Sequence, residues 1–129
     1  MSVSILVVDD ETDVAELFRQ CFRRETRQGT YVLHFAYSGE EALDKLAAGI
    51  EPQLIVILSD INMPVMDGLE LLRQIKTRRP DLPVMMVTAY GDDERRHLAG
   101  EYGAAEFITK PVDFDFLRSQ LRDLSGAAD

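Results

Sequence analysis

The sequence predicts an α/β fold in which a parallel sheet is covered by helices on both faces. Three observations carry that prediction. Leu54-Ile55-Val56-Ile57-Leu58 is an unbroken aliphatic run with no polar side for water, the pattern of a strand buried on both faces. Short runs of that kind alternate five times with segments of helical apolar spacing, and parallel strands need such crossovers. Polar residues stand repeatedly where a strand ends, as Asp60 does after Leu58-Ser59.

Each element has its own justification. Ile5-Leu6-Val7-Val8 is a first strand ending in Asp9-Asp10-Glu11, and Thr12 or Asp13 is placed to cap the helix that follows. Val14, Leu17, Phe18, Cys21 and Phe22 are spaced i, i+3, i+4, i+7 and i+8, so they are expected on the core side of that helix. Arg23 to Thr30 reads as a loop containing Gly29, and Tyr31 to Ala36 as a second strand. Ser38 followed by Glu41 forms a capping box for a helix through Leu43 and Leu46, stopped by Gly49 and Pro52. After the central run, a third helix from about Asp67 to Arg78 buries Leu71, Leu72 and Ile75. Pro83 to Val87 is a fourth strand ending at Thr88. A polar helix from about Asp92 to Tyr102 follows, with few apolar residues, and is expected to be short or mobile. Glu106 to Thr109 forms a fifth strand ending at Lys110-Pro111. The last helix points Leu117, Leu121 and Leu124 inward, and residues 125–129 form a frayed tail.

With 129 residues, 46% of them hydrophobic and 29% charged, the chain suits one globular domain, residues 1–129. A net charge of -9 argues against nucleic acid as a direct partner. No apolar run approaches the roughly 18 residues of a membrane span. The chain starts without a basic region or cleavage site, so a cytoplasmic location is expected. A single cysteine, Cys21, excludes an internal disulfide and a multi-thiolate metal site. Arg23-Arg24 and Arg78-Arg79 fall where helices should end, favourable for their dipoles. His34 and His97 lie away from the strand ends and read as packing or surface residues.

Ligands bind such sheets beyond the carboxyl ends of the strands, beside the switch point in strand order. Asp9-Asp10, Asp60, Thr88 and Lys110 occupy those ends, so three carboxylates, a hydroxyl and an ammonium converge on one rim. Two carboxylates about 4 Å apart repel by roughly 4 kcal/mol at an effective dielectric near 20. Such a rim is strained unless it holds a cation, and an all-oxygen set favours Mg²⁺ or Mn²⁺ over zinc. A carboxylate beside Mg²⁺ can attack phosphorus, with Lys110 and Thr88 stabilising the transferring oxygens.

Together, Leu6 to Glu11, Ser59 to Gly68, Val87 to Tyr90 and Phe107 to Pro111 resemble the receiver domains of two-component response regulators over nearly the whole chain. The resemblance implies a flavodoxin-like, doubly wound five-stranded sheet of order 2-1-3-4-5. It implies that Asp60 is the phosphoacceptor, fed by a phosphohistidine on a sensor kinase or phosphotransfer protein. Asp10, Asp60 and the main-chain carbonyl of Asn62 would bind Mg²⁺, with Asp9 acting largely through a water. Thr88 and Lys110 would contact the phosphoryl group, Thr88 and Phe107 would form the switch, and Asn62 and Tyr90 would tune dephosphorylation. Output would pass to a protein effector through the fourth helix, fifth strand and fifth helix, where Phe107 and the off-stripe Phe116 stand. A cis Lys110-Pro111 bond is also expected. Two stretches, Arg23 to Thr30 and Glu51 to Leu54, are longer than the family pattern, and no effector domain follows the last helix. The chain is thus expected to be a stand-alone receiver or a piece of a longer protein.

Two other readings compete with a phosphorylation-operated regulator that acts on no external substrate. A Mg²⁺-dependent phosphohydrolase with an Asp nucleophile would carry an acid/base aspartate where Asn62 stands. A constitutive docking module would have lost the acceptor or the lysine, and both are present here.

Overall fold

The computed structural model describes residues 2–89 and 91–124. Its order is β1 (Val3–Val8), α1 (Thr12–Cys21), α2 (Arg23–Arg27), β2 (Tyr31–Ala36), α3 (Gly39–Ala48), β3 (Leu54–Asp60), α4 (Gly68–Arg78), β4 (Val84–Thr88), α5 (Asp93–Glu101), β5 (Glu106–Thr109) and α6 (Phe114–Leu124). The five strands form one parallel sheet of order β2-β1-β3-β4-β5, as expected.

Alternation along each strand divides the core. Leu6, Val8, Ile57 and Met86 face α3, α4 and α5, where they meet Ala42, Leu71, Leu72, Ile75 and Ala99. Ile5, Val7, Val56, Leu58, Met85 and Val87 face the other way, onto Phe18, Phe22, Leu117 and Leu121 of the α1/α6 side. Both sides of β3 are therefore buried, which is why its sequence carries no polar alternation.

Several local expectations need correction. The residue at the N-cap of α1 is Glu11, with no side-chain cap; Thr12 and Asp13 already lie in the helix. The Asp9 carboxylate takes the Glu11 amide instead, at 2.9 Å. Arg23 to Arg27 is a helix rather than a loop, so Arg23 and Arg24 open α2 and do not close α1. None of its residues is buried, so no apolar period announced it. It is held by polar contacts: Thr26 Oγ1 donates to the Phe22 carbonyl at 2.7 Å. Arg118 of α6 pairs with Glu25 at 2.9 Å, reaches the Cys21 carbonyl and lies over the Phe22 ring.

Leu17 and Leu124 are 45% and 36% exposed, not core. Leu17 borders a groove beside the acidic rim, and Leu124 ends its helix over a cleft shared with Leu54 and Leu82. Cys21 is half-buried. The capping box of α3 forms with one shift. Ser38 Oγ accepts from the Glu41 amide at 3.0 Å, while the Glu41 carboxylate reaches back to the amide of Tyr37 at 2.7 Å. The polar helix α5 spans nine residues and buries only Ala99. Residues 125–129, read as a tail, lie outside the described residues.

Candidate functional site

The switch in strand order falls at β1, with β2 on one side and β3 on the other. Val8 is paired with Ser59, Asp60 with Val87 and Thr88 with Thr109, so all the polar strand ends reach the same rim. Carboxylate oxygens of Asp9, Asp10 and Asp60 all lie within 4.8 Å of one another. Asp60 is 4% and Asp9 6% exposed, whereas Asp10 is open to solvent. Lys110 Nζ stands 3.3 Å from Asp60 Oδ2 and 3.8 Å from Asp9 Oδ2. Thr88 is buried, and its carbonyl takes the Lys110 amide at 2.9 Å, which anchors the lysine beside it.

The loop after β3 explains why a greasy strand ends in this particular series. Asn62 donates its amide to Asp60 Oδ1 at 3.3 Å. Asp67 caps α4 through the Glu70 amide at 2.9 Å, which turns the chain back under the strand end. Gly68 then donates to the Ile61 carbonyl at 2.7 Å. A Cβ on Gly68 would lie 2.2 Å from the Asp60 carbonyl oxygen, so only glycine permits this approach. The Asp-Gly pair therefore sets the floor beneath Asp60. Val65 in the same loop adopts φ 68 and is 97% exposed.

Electrostatics at the rim are unbalanced. Burial pushes the Asp9 carboxyl up from 3.8 to about 6; the Glu11 amide opposes that, the Asp60 charge adds to it, and Lys110 offsets part. Burial pulls Lys110 down, but the Asp60 and Asp9 charges outweigh it and the net direction is upward. Three carboxylates against one ammonium leave a formal charge of -3 + 1 = -2. A hard divalent cation fits that charge and an all-oxygen donor set.

Of the residues singled out from sequence, Asp9, Asp10, Asp60 and Lys110 come together, with Thr88 alongside. Phe107 stands half-buried on β5 with the Arg96 guanidinium 5.0 Å over its ring. Phe116 is 40% exposed on α6, outside the cluster. Tyr90 lies outside the described residues. The Lys110-Pro111 bond is cis, as expected, and Glu51-Pro52 is cis as well. His34 packs on Ser4 at 3.0 Å and His97 pairs with Glu101 at 3.2 Å, both structural contacts. Sequence reasoning missed Arg95, whose guanidinium donates to Asn62 Oδ1. That contact spans 33 positions and left no local signal.

A parallel doubly wound sheet with an acidic, lysine-bridged rim at its switch point defines an α/β domain with a polar ligand-binding edge. Residues 5–122 match the family model of the response regulator receiver domain. The response regulator MprA of Mycobacterium bovis is 36% identical over 124 residues, covering 96% of this chain and 51% of that protein. This chain thus spans about half the length of such relatives. A receiver domain from Clostridium thermocellum superposes with a TM-score of 0.84 at 26% identity, over 98% of this chain and 96% of that one. The response regulator TrrA of Thermotoga maritima, solved in complex with Mg²⁺-BeF, gives 0.76 at 33% identity, over 94% and 97%. The chain belongs to the receiver domains of two-component response regulators.

Proposed function

We propose that Asp60 accepts a phosphoryl group from a phosphohistidine of a sensor kinase or phosphotransfer protein. The convergence of buried Asp60 with Asp9, Asp10 and Lys110 is the observation that carries this reading. Asp9, Asp10, Asp60 and the Asn62 main-chain carbonyl would hold Mg²⁺, or Mn²⁺ in its place. When bound, the ion supplies charge neutralisation at the transferring oxygens.

A carboxylate oxygen of Asp60 forms the new bond to phosphorus, and the bond from phosphorus to the imidazole nitrogen breaks. Lys110, already paired with Asp60 Oδ2, balances the incoming negative charge. The Thr88 hydroxyl donates to one phosphoryl oxygen, and Phe107 follows Thr88 as the switch. The change is read by a protein effector, or an effector domain, on the face of α5, β5 and α6 that carries Phe116. Hydrolysis of the acyl phosphate resets the switch, with Asn62 and Tyr90 setting its rate. The whole of 1–129 works as one receiver unit, in the cytoplasm. Among the described residues, no helix is long and apolar enough to cross a membrane.

Intact-mass spectrometry after incubation with acetyl phosphate and Mg²⁺ tests the proposal. Wild type should gain one phosphoryl group and Asp60→Asn none; equal labelling of both would overturn it.

A further inference from the structure

The polar helix α5 buries only Ala99, yet two adjacent arginines tie it to β5 and to the loop after β3. Arg96 lies over Phe107, and Arg95 donates to the side-chain oxygen of Asn62. Other candidate partners of Arg95 in the shared cleft are occupied: Asp67 caps α4, and Glu70 is held by Gln74 at 3.2 Å and Arg73 at 3.6 Å. Asp92, at the N-cap of α5, lies 4.0 Å from Arg95 Nε and steadies the guanidinium. Asn62 is in turn joined to the acceptor, because its main-chain N–H donates to Asp60 Oδ1 at 3.3 Å.

Resting on the reading of Asp60 as phosphoacceptor, we propose that Arg95 is a positioning residue that prolongs the acyl phosphate by occupying the Asn62 carboxamide oxygen. In hydrolysis, a water oxygen bonds to phosphorus and the bond from phosphorus to the Asp60 carboxylate oxygen breaks. The carboxylate is restored, and inorganic phosphate leaves with both protons of the water. To present a lone pair to phosphorus, the water must donate its hydrogens to an acceptor. Asn62 Oδ1 is such an acceptor two residues from Asp60, whereas its NH₂ group can only donate. The Arg95 contact fills one of that oxygen's two lone pairs and turns the carboxamide toward α5, so it competes with water for the acceptor. The same contact ties α5 to the loop beside the acceptor, so whatever displaces α5 also alters the lifetime.

Decay of the phosphorylated species after removal of acetyl phosphate, followed by intact mass, tests the inference in wild type, Arg95→Ala, Arg95→Lys, Asn62→Ala and the Arg95→Ala/Asn62→Ala double variant. One hydrogen bond gained in the transition state predicts decay about three- to tenfold faster in Arg95→Ala. Arg95→Lys keeps a donor and should restore a near wild-type lifetime. Asn62→Ala, which keeps its main-chain carbonyl, should decay slowly, and Arg95→Ala should add nothing in that background. A structural role for Arg95 would not vanish with Asn62. Unchanged or slower decay in Arg95→Ala overturns the inference, as does an acceleration that persists in the double variant and so acts on the phosphate directly. Failure of wild type to label at all would instead remove the phosphoacceptor reading, and this inference with it.

Discussion

Two single residues decide how the rim is built. A methyl group at Gly68 would meet the Asp60 carbonyl oxygen at 2.2 Å and Ile61 Cα at 2.7 Å, both backbone atoms that cannot swing aside. Overpacking of this kind costs about 1–3 kcal/mol, or more against backbone. Gly68→Ala should lose at least that much in urea denaturation and also label poorly with acetyl phosphate. Gly39→Ala is the control, since the nearest atoms to its added Cβ belong to the flexible side chain of Met66, with Sδ at 2.6 Å, and not to backbone. Asp10 is the exposed member of the carboxylate cluster, so its removal tests metal binding with little damage to packing. If the rim holds Mg²⁺ as proposed, ligand linkage should stabilise the wild type by about 2.7 kcal/mol at a free concentration one hundred times Kd. Asp10→Asn should lose most of that gain in a melting experiment, while its metal-free form should equal or exceed wild type because one repulsion is gone. An equal Mg²⁺ response in both proteins would count against the site.

At the scale of elements, the loop between β3 and α4 stores strain. Val65 is β-branched, holds φ 68 and packs on almost nothing at 97% exposure. A left-handed backbone costs such a residue about 1–2 kcal/mol, against about 0.5–1 kcal/mol of extra chain entropy lost by glycine. Val65→Gly should therefore stabilise the protein by roughly 0.5–1 kcal/mol in urea, and a clear loss would show that the strain is not there. The strands were legible because buried parallel strands are continuous apolar runs, and the boundaries of β2 and β5 match the expectation. Helix α2 was not legible, because it buries nothing and depends on Arg118, 93 positions from Glu25. Leu17 departs from the expectation because helical spacing marks the face toward the sheet but not where the sheet's cover ends.

For the whole molecule, the rim was readable because strand-end residues project to a shared edge whatever the loops do. Asp9, Asp10, Asp60, Thr88 and Lys110 needed only strand order to come together. The Arg95 to Asn62 contact needed the placement of α5 itself, which its own sequence does not specify. Global stability should carry the mark of this rim. The folded-state pKa of Asp9 is raised from 3.8 to about 6, so between those values the native form binds more protons than the unfolded chain. Without Mg²⁺, stability should fall as pH rises through that window, by up to about 1.4 kcal/mol per pH unit, and level off above it. The difference between wild type and Asp9→Asn isolates the effect. A difference that stays constant between pH 4 and 6 would exclude it.

Locating the acyl phosphate tests most directly whether Asp60 is the acceptor. Borohydride reduces an aspartyl phosphate to homoserine, and peptide mass spectrometry of acetyl phosphate-treated protein then finds the modified position. Conversion at residue 60 alone, absent without Mg²⁺, is the predicted result. Conversion at Asp9 or Asp10, or at any residue in Asp60→Asn at the wild-type level, would contradict it.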